Sequence, residues 1–202
     1  MVDPPPLILA SASPARRQLL RQIGVEPLVC PSGLDERQIS APDPLTLVAT
    51  LAEAKATKVA AQWSPPGVVL GCDSLLALGD RVYGKPPDAA AAIAQLQQLS
   101  GQVGHLHTGH TLIDLATGTT LTQVATTEVV FAALTPAQIQ TYVRTGEPLQ
   151  CAGAFALEGK GGLWVERIHG CPSNVIGLSL PLLRAMMYQL GYDLTGYWHA
   201  AG

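Results

Sequence analysis

The sequence predicts an α/β fold, in which strands and helices alternate along the chain. Residues 7–10 form a short apolar run, which is typical of a buried strand. A helix should follow, because Ser13 is a good N-cap, Pro14 suits the first helical position and Gly24 can end the helix. A strand followed directly by a helix is the usual opening of an α/β protein.

A second strand and a second helix are predicted next. Residues 27–30 are the candidate strand, and the polar loop after them contains Asp35 and Glu36. Asp43 and Pro44 predict the start of a helix that runs to about residue 61, because apolar residues recur on one of its faces. These apolar residues are Leu45, Val48, Ala52, Ala56 and Val59.

The middle of the chain contains two short apolar runs and a helix. The runs lie at 68–70 and 75–78, with the sequence Gly-Cys-Asp-Ser between them, and the first run predicts a short strand. A Gly-Asp turn leads to a strand at 82–83. Asp88 can cap the Ala-rich helix that follows, and Gly101 marks the end of that helix.

The second half of the chain predicts a long hairpin followed by shorter elements. The hairpin strands are expected at 105–114 and 119–131, because a Thr-Gly turn separates these two stretches. A Thr-Pro pair predicts the start of a short helix over 136–146. A strand at 163–168 and a final helix at 181–190 complete the expected elements.

The composition is typical of a globular protein with little charge. The 202 residues are 48% hydrophobic and 13% charged, and the formal net charge is -3. This much apolar content at low charge excludes a disordered chain, and the lack of a broad basic surface argues against a nucleic-acid binder. A local basic pocket for a small anion is compatible with these values. Because no repeat or low-complexity linker divides the chain, we expect one domain over residues 1–202.

No segment of the sequence predicts membrane insertion or export. The N-terminal residues carry no Lys or Arg, and the apolar run after them is too short for a signal peptide. No apolar run approaches the ~18 residues that a membrane span needs. The four cysteines are widely spaced without a C-x-x-C pair, so we expect free thiols and no structural zinc site. We therefore expect a soluble, cytoplasmic protein.

The first predicted helix carries charges of the wrong sign for its position. Arg16 and Arg17 lie in its first turn, although the positive end of the helix dipole favours anions there. A bound phosphate would resolve the conflict, because it could accept from the free backbone N–H groups, the Ser11 and Ser13 hydroxyls and a guanidinium. The alternative is that both arginines point into solvent.

Asp73 is a second unusual position. It follows a strand of three apolar residues, and ligands of open α/β sheets bind beyond the carboxyl ends of strands. A carboxylate there could bind a divalent metal or activate a water molecule. The alternative is a structural aspartate that caps neighbouring amides.

Lys85 lies in a motif that resembles a phosphate-binding loop. Residues 79–85 fit G-x-x-x-x-G-K, but Pro86 occupies the position where a P-loop needs Ser or Thr. We therefore reject a Walker motif, although Lys85 could still reach a phosphate, and a solvated surface lysine is the alternative. Three histidines at 105, 107 and 110 resemble a metal cluster, but only the first two share a strand face, so we interpret them as structural.

Several segments in this order resemble the Maf (septum-formation) family. The resemblance covers about residues 7–190, nearly the whole chain. The matching segments are SASPARR at 11–17, LAEAKA at 51–56, GCDS at 71–74, GKPPD at 84–88, LSG at 99–101, TG at 108–109, AGAF at 152–155, ERIHG at 166–170 and SNVIGL at 173–178. One such segment would be weak support, whereas a series in the same order is specific.

The resemblance implies a fold and an activity. The fold is of the inosine-triphosphate-pyrophosphatase type, with a mixed curved sheet, flanking helices and two lobes around a cleft. The activity is house-cleaning hydrolysis of a (d)NTP to the nucleoside monophosphate and pyrophosphate, with a divalent metal, Mg²⁺ or Mn²⁺. A nucleoside triphosphate is the implied partner, and a homodimer is compatible with the resemblance.

The same resemblance assigns roles to particular residues. Asp73 corresponds to the family's catalytic carboxylate and also to a metal ligand. The acidic pair Asp35 and Glu36 corresponds to further metal ligands, and the sequence leaves open which of the two binds. The implied phosphate-binding residues are Ser11, Arg16, Lys55 and Lys85.

The chain departs from the two family branches to which it is similar, so the preferred base is left open. One branch resembles dTTP/UTP pyrophosphatases and the other resembles 7-methyl-GTP pyrophosphatases. Cys151 and Glu158 match the second branch, whereas Ala15 and Ser74 match neither. A carboxylate at Glu158 could accept from guanine N1–H and the 2-amino group, which favours guanine-type triphosphates such as 7-methyl-GTP.

A protein of another class is compatible with the same segments. A nucleotide-binding regulator of cell division would bind the triphosphate without turnover. Such a sensor needs the cationic residues but not a metal-binding carboxylate at a strand end, so Asp73 favours the enzyme. An assay of pyrophosphate release separates the two functions.

Overall fold

The computed structural model describes residues 4–200 and confirms the α/β class. The strands are β1 (Leu7–Leu9), β2 (Leu28–Val29), β3 (Val68–Leu78), β4 (Arg81–Tyr83), β5 (Val103–Asp114), β6 (Thr120–Phe131) and β7 (Val165–His169). The α-helices are α1 (Pro14–Gln22), α2 (Pro44–Ala60), α3 (Ala89–Leu99), α4 (Pro136–Val143), α5 (Pro172–Ile176) and α6 (Leu180–Gln189). Short 3₁₀ segments lie at Glu36–Gln38, Glu147–Gln150, Ala152–Ala154, Lys160–Trp164 and Leu194–Ala200.

The sheet is mixed, as expected. The hydrogen-bonded strand order is β2-β1-β3-β5-β6-β7, and β4 pairs with β3. Strand β1 runs parallel to both β2 and β3, whereas β4 is antiparallel to β3 and β7 is antiparallel to β6. The long hairpin of β5 and β6 turns at Gly118, whose positive φ of 72° suits glycine.

The chain forms two compact units. The first contains the described residues up to Asp73, Thr108–Ala125 and the described residues from Gly177 onward, and the second contains Ser74–His107 and Thr126–Ile176. Each unit has its own cluster of buried apolar side chains. The expectation of one domain over residues 1–202 stays a prediction.

Helix α1 of the first unit is built as its sequence predicts. The Ser13 hydroxyl accepts from the backbone N–H of Arg16 at 3.4 Å, and Pro14 is the first helical residue. Gly24 follows the helix with a positive φ of 77°, and its N–H donates to the Arg21 carbonyl. Local signals were sufficient here because both helix ends are stabilised by neighbouring residues.

Helix α2 differs from its prediction at one residue. Its buried positions are Val48, Leu51, Ala52, Lys55, Ala56 and Val59, so the predicted face is largely correct. The inclusion of Leu45 was wrong, because Leu45 is 45% exposed. Periodicity identifies a face of the helix but not the length over which that face is covered, and Leu45 lies in the first turn.

Strand β3 also differs from its prediction, because it continues through the Gly-Cys-Asp-Ser sequence without a break. Its parallel pairing with β1 ends at Leu70, so Asp73 lies inside a strand but beyond the parallel part. A Cβ at Gly71 would overlap the Ala52 carbonyl oxygen, and one at Gly109 of β5 would overlap the Val48 carbonyl oxygen. These two glycines therefore let α2 approach the strands closely.

The core of the second unit lies around two aromatic rings. Phe131 and Phe155 meet edge to face with 4.9 Å between their ring centroids. Helices α3 and α4 supply aliphatic side chains to the same cluster, which also contains Leu76 and Leu106. The 3₁₀ segments of this unit and helix α5 were absent from the prediction.

Two further expectations concern the whole chain. In the part of the chain that the structure describes, no helix combines the length and the apolar character needed to cross a membrane. All four cysteines are free, as the sequence predicts.

Candidate active site

Lys55 and Asp73 form a buried ion pair in the first unit. The Lys55 Nζ donates to Asp73 Oδ1 at 2.5 Å, and the two residues are each only 7% exposed. Glu36 joins them from the loop before α2, with its Oε1 2.7 Å from the same ammonium. Two carboxylates therefore converge on one buried cation.

Helix α2 and strand β3 create this arrangement. Gly71 and Asp73 lie on the same face of β3, because side chains two residues apart in a strand share a face. Ala52 and Lys55 share the buried face of α2. The close approach that Gly71 permits to Ala52 therefore brings Lys55 onto Asp73.

The surroundings of Asp73 push its pKa in opposite directions. Burial raises the pKa of Asp73, while the charge and hydrogen bond of Lys55 and the charge of Arg16 lower it. The net direction is upward. A carboxylate with an elevated proton affinity beside fixed cations is suited to accept a proton in a reaction.

Asp73 and Glu36 fit the requirements of a divalent cation, as judged from their donor atoms and their convergence. Their oxygens already surround one positive charge, and Mg²⁺ is usually held by one or two carboxylates with water and phosphate oxygens. In the described part of the chain, no group of three or more His, Cys, Asp or Glu side chains converges. The residues present therefore fit a hard cation whose remaining ligands would be water and phosphate oxygens. They do not fit a structural metal site in which the protein supplies every ligand.

Asp35 is placed differently from Glu36. Its carboxylate caps the 3₁₀ segment Glu36–Gln38 and accepts from the Arg37 guanidinium at 2.9 and 3.2 Å. This bond to Arg37 lowers the pKa of Asp35. Of the predicted acidic pair, Glu36 is the residue that contacts Lys55.

Ser11 and Arg16 meet at the start of α1. The Arg16 Nη1 donates to Ser11 Oγ at 3.1 Å, and its Nε donates to the Gly177 carbonyl at 2.8 Å. Arg17 instead pairs with Glu26 at 2.9 Å and has 43% of its side chain exposed. Arg16 is therefore oriented by the fold, whereas Arg17 is paired at the surface, and the phosphate-binding role stays a prediction. Ala15 is partly exposed beside them.

Lys85 and Glu158 belong to the second unit. Gly84, just before Lys85, accepts from the Gly153 N–H at 3.3 Å. The pKa of Cys151 is raised to about 11, chiefly by burial and next by the charge of Glu158, and Lys85 opposes the shift. Lys85 and Glu158 therefore both lie within electrostatic reach of Cys151.

Glu158 and Lys85 are both exposed. Partial desolvation of its carboxyl group raises the pKa of Glu158, and the charge of Glu147 raises it further. Ser74 is partly buried and directly follows Asp73 in β3. The roles that the resemblance implies for Lys85, Ser74 and Glu158 stay predictions.

Glu147 and Tyr142 contact the loop that carries Glu158, and sequence reasoning did not identify either of them. The Tyr142 hydroxyl donates to Glu147 Oε1 at 2.8 Å. The signal that could have found them is the glycine spacing at Gly159 and Gly161, where a side chain would meet Glu147 and Tyr142 respectively.

The histidines at 107 and 110 make hydrogen bonds of a structural kind. His110 Nε2 accepts from the Ser179 N–H at 2.9 Å, so its Nδ1 carries the proton that is shared with the Thr108 carbonyl. Burial lowers the pKa of His110 to about 4, which keeps the ring neutral. His107 Nδ1 lies 2.9 Å from Thr126 Oγ1.

A cavity of about 360 Å³ lies elsewhere in the second unit. Its lining includes Tyr142, Lys160, Leu163 and Trp164. None of the predicted site residues lines this cavity, so we do not take it as the candidate active site.

Comparisons with known proteins show which sequences and structures this chain is similar to. The family model described as "Maf-like protein" matches residues 6–190. A nucleoside triphosphate pyrophosphatase of Thermosynechococcus vestitus is 57% identical over 190 residues, which are 94% of this chain and 96% of that protein. One of Cyanothece sp. is 58% identical over 95% of this chain and 98% of its own length. A solved structure of a HAM1 protein from Coxiella burnetii aligns with a TM-score of 0.44 and 18% identity over 63% of this chain and 73% of its own.

Proposed function

Because this chain belongs to the Maf-like protein family, we propose that it is a nucleoside triphosphate pyrophosphatase. It would hydrolyse a (d)NTP to the nucleoside monophosphate and pyrophosphate. The observation that carries the proposal is the convergence of the buried Asp73 and the exposed Glu36 on the buried Lys55. The names of relatives that are 57% and 58% identical support the same reaction.

Phosphate binding in the first unit would begin at helix α1. A triphosphate carries about four negative charges at neutral pH, so fixed cations are needed to hold it. Arg16 is oriented by Ser11 and Gly177, and its guanidinium lies beside the N-terminal turn of α1. A phosphate oxygen there would meet a charge-assisted donor and the positive end of a helix dipole.

Asp73 would act on the attacking water. The water oxygen forms a bond to the α-phosphorus, the bond from that phosphorus to the bridging oxygen of the β-phosphate breaks, and pyrophosphate leaves. Asp73 accepts the proton that the water loses, which its raised pKa favours. Most of the rate acceleration would come from positioning and charge neutralisation, as in other phosphoryl transfers.

We assign the divalent cation, Mg²⁺ or Mn²⁺, to Asp73 and Glu36. When bound there, the cation supplies positive charge beside the phosphates. Lys55 keeps the two carboxylates close together and offers a further cation for the leaving pyrophosphate. Lys85 would contribute another phosphate-binding charge.

Base selection would depend on Glu158. A carboxylate can accept from two guanine donors, N1–H and the 2-amino group, whereas uracil and thymine each offer a single N–H. We therefore propose guanine-type triphosphates, including 7-methyl-GTP, as preferred substrates. Ala15 would leave more room for the base than a bulkier residue at this position.

The experiment incubates the protein with Mg²⁺ and a panel of standard and modified nucleoside triphosphates. Pyrophosphate and nucleoside monophosphate are measured separately from orthophosphate. We expect pyrophosphate release from the wild type and a loss of more than tenfold in kcat, above about 1.4 kcal/mol, for Asp73→Asn. The control is Asp80→Asn, which changes an exposed turn residue. Triphosphate binding without turnover would instead support the nucleotide-binding regulator.

A further inference from the structure

The carboxylate of Glu147 is surrounded by donors in the second unit. Its Oε1 accepts from the Tyr142 hydroxyl at 2.8 Å and from the Gly161 N–H at 3.0 Å, and its Oε2 accepts from the Lys160 N–H at 3.1 Å. The Lys160 ammonium lies 3.9 Å away. Three hydrogen bonds from a hydroxyl and two consecutive backbone amides fix this side chain against one loop.

Tyr142 holds the other end of the same loop. Its hydroxyl oxygen accepts from the Ala156 N–H at 3.1 Å while its proton goes to Glu147. Burial, and next the bond to Glu147, raise the pKa of Tyr142, so the hydroxyl remains a donor. The pair therefore fastens the loop at residue 156 and again at residues 160 and 161.

Two glycines show how tightly the loop encloses this pair. A Cβ on Gly159 would lie 2.6 Å from Glu147 Oε2. A Cβ on Gly161 would overlap the Tyr142 hydroxyl and lie 2.6 Å from the Ala156 nitrogen. The backbone of Ala156 cannot move aside for a side chain at Gly161, whereas a side chain at Gly159 would displace the Glu147 carboxylate from its donors.

We propose that Tyr142 and Glu147 are positioning residues for Glu158, and thus determine base specificity without touching the substrate. Glu158 lies between the two fastened ends of the loop. A recognition carboxylate needs to be held within about 0.5 Å of its productive position, and a loop with several glycines does not supply that rigidity by itself. The inference rests on the proposed role of Glu158 in base recognition.

Charge adds to this positioning. Glu147 raises the pKa of Glu158, although partial desolvation is the larger cause. The donors around Glu147 hold its negative charge in place at one side of the loop. The same pair would therefore affect both where Glu158 points and how readily it accepts hydrogen bonds.

The first test measures amide hydrogen exchange in the full-length protein. In Tyr142→Phe the Ala156 N–H loses its acceptor, and in Glu147→Gln an amide nitrogen replaces one of the oxygens that accept backbone donors. We expect exchange at Ala156, Lys160 and Gly161 to become at least about tenfold faster, which corresponds to about 1.4 kcal/mol. Unchanged exchange in both variants would overturn the inference at its structural step.

The second test measures base selectivity, as the ratio of kcat/KM for GTP to kcat/KM for UTP. We expect this ratio to fall at least fivefold in Tyr142→Phe and Glu147→Gln. A loss of folded protein lowers both rates equally and leaves the ratio unchanged, so a merely structural role would not produce this result. Faster exchange with an unchanged ratio would overturn the positioning role.

Matched controls and one further variant complete the design. Tyr188→Phe and Glu166→Gln change exposed residues and should alter neither exchange nor selectivity. If Glu158→Gln lowers the ratio but Tyr142→Phe does not, the positioning role alone fails. If Glu158→Gln itself leaves the ratio unchanged, the proposed base recognition fails, and the positioning role fails with it.

Discussion

The Lys55 ammonium and the Asp73 carboxylate are joined at 2.5 Å in the interior of the first unit. Removal of one partner from a buried ion pair typically costs about 3–5 kcal/mol, because the other charge is left uncompensated. Stability alone does not explain such a pair, since an apolar pair would serve as well. The proposed functional role rests instead on the convergence of Glu36 on the same ammonium and on the two family-matching segments around these residues.

The close packing of α2 on β3 gives a prediction for Gly71→Ala. The added methyl group would overlap the Ala52 carbonyl oxygen, and backbone cannot move aside as a flexible side chain can. We expect a lower melting temperature, from a loss of about 1–3 kcal/mol, together with reduced kcat as Lys55 moves from Asp73. The control is Gly84→Ala, where a Cβ would meet no atom within 4 Å. Equal melting temperatures for the two variants would contradict this packing.

The different surroundings of Arg16 and Arg17 predict different kinetic effects. Arg16→Ala should raise KM for the triphosphate at least tenfold, because an oriented guanidinium is lost from the start of α1. Arg17→Ala should change kcat and KM by less than about twofold, because its partner Glu26 is exposed and surface ion pairs contribute little. Steady-state kinetics with one triphosphate measures both. Similar kinetic effects from the two substitutions would rule out Arg16 as the phosphate-binding arginine of the pair.

Because His110 is buried in its neutral form, we expect the free energy of unfolding to fall in mild acid. Its pKa is about 4 in the folded protein, against the 6.5 that is usual for histidine, so the unfolded chain binds a proton more readily between these values. The contribution of neutral His110 to the free energy of unfolding is therefore complete above about pH 6.5. It decreases as the pH falls toward 4, by about 3 kcal/mol in total.

The measurement for His110 is the melting temperature as a function of pH. The variant His110→Gln has no titrating ring, so its melting temperature should depend less on pH between 6.5 and 4 than that of the wild type. His105→Gln is the control, because the His105 side chain is 48% exposed. A pH dependence that is the same in His110→Gln and in the wild type would show that other groups cause the acid effect.

The proposed contact of Glu158 with the base leads us to expect a preference for guanine-type triphosphates. GTP and 7-methyl-GTP should exceed UTP and dTTP by about tenfold or more in kcat/KM, because an unmet buried hydrogen-bond partner costs ~1–3 kcal/mol. Glu158→Gln should reduce that ratio, since an amide offers one acceptor oxygen where the carboxylate offers two. A wild-type preference for UTP or dTTP would remove Glu158 from base recognition and leave the phosphate chemistry intact.

Sequence reasoning succeeded where neighbouring residues determine the structure. Helix α1 is capped by Ser13, begins at Pro14 and ends before Gly24 as predicted, because the capping groups lie at the helix ends themselves. The break predicted after Leu70 was wrong, since Gly71 resembles a chain break in the sequence but serves close packing against Ala52 in the structure.

The candidate site was recognised only in part for a similar physical reason. Asp73 and Lys55 were identified separately, but their contact depends on how α2 packs on β3. The sequence left Asp35 and Glu36 as equal choices, and local bonds to Arg37 separate them. Tyr142 and Glu147 were missed because their partners lie up to 14 residues away, beyond the reach of local patterns.

The proposed reaction has water attack the α-phosphorus with Asp73 as the proton acceptor. The most direct measurement is a single turnover of GTP with Mg²⁺ in ¹⁸O-labelled water, followed by mass analysis of both products. We expect one ¹⁸O atom in the phosphate of the nucleoside monophosphate, unlabelled pyrophosphate, and a rate more than tenfold lower in Asp73→Asn. Labelled orthophosphate with a nucleoside diphosphate, or label in the pyrophosphate, would contradict it.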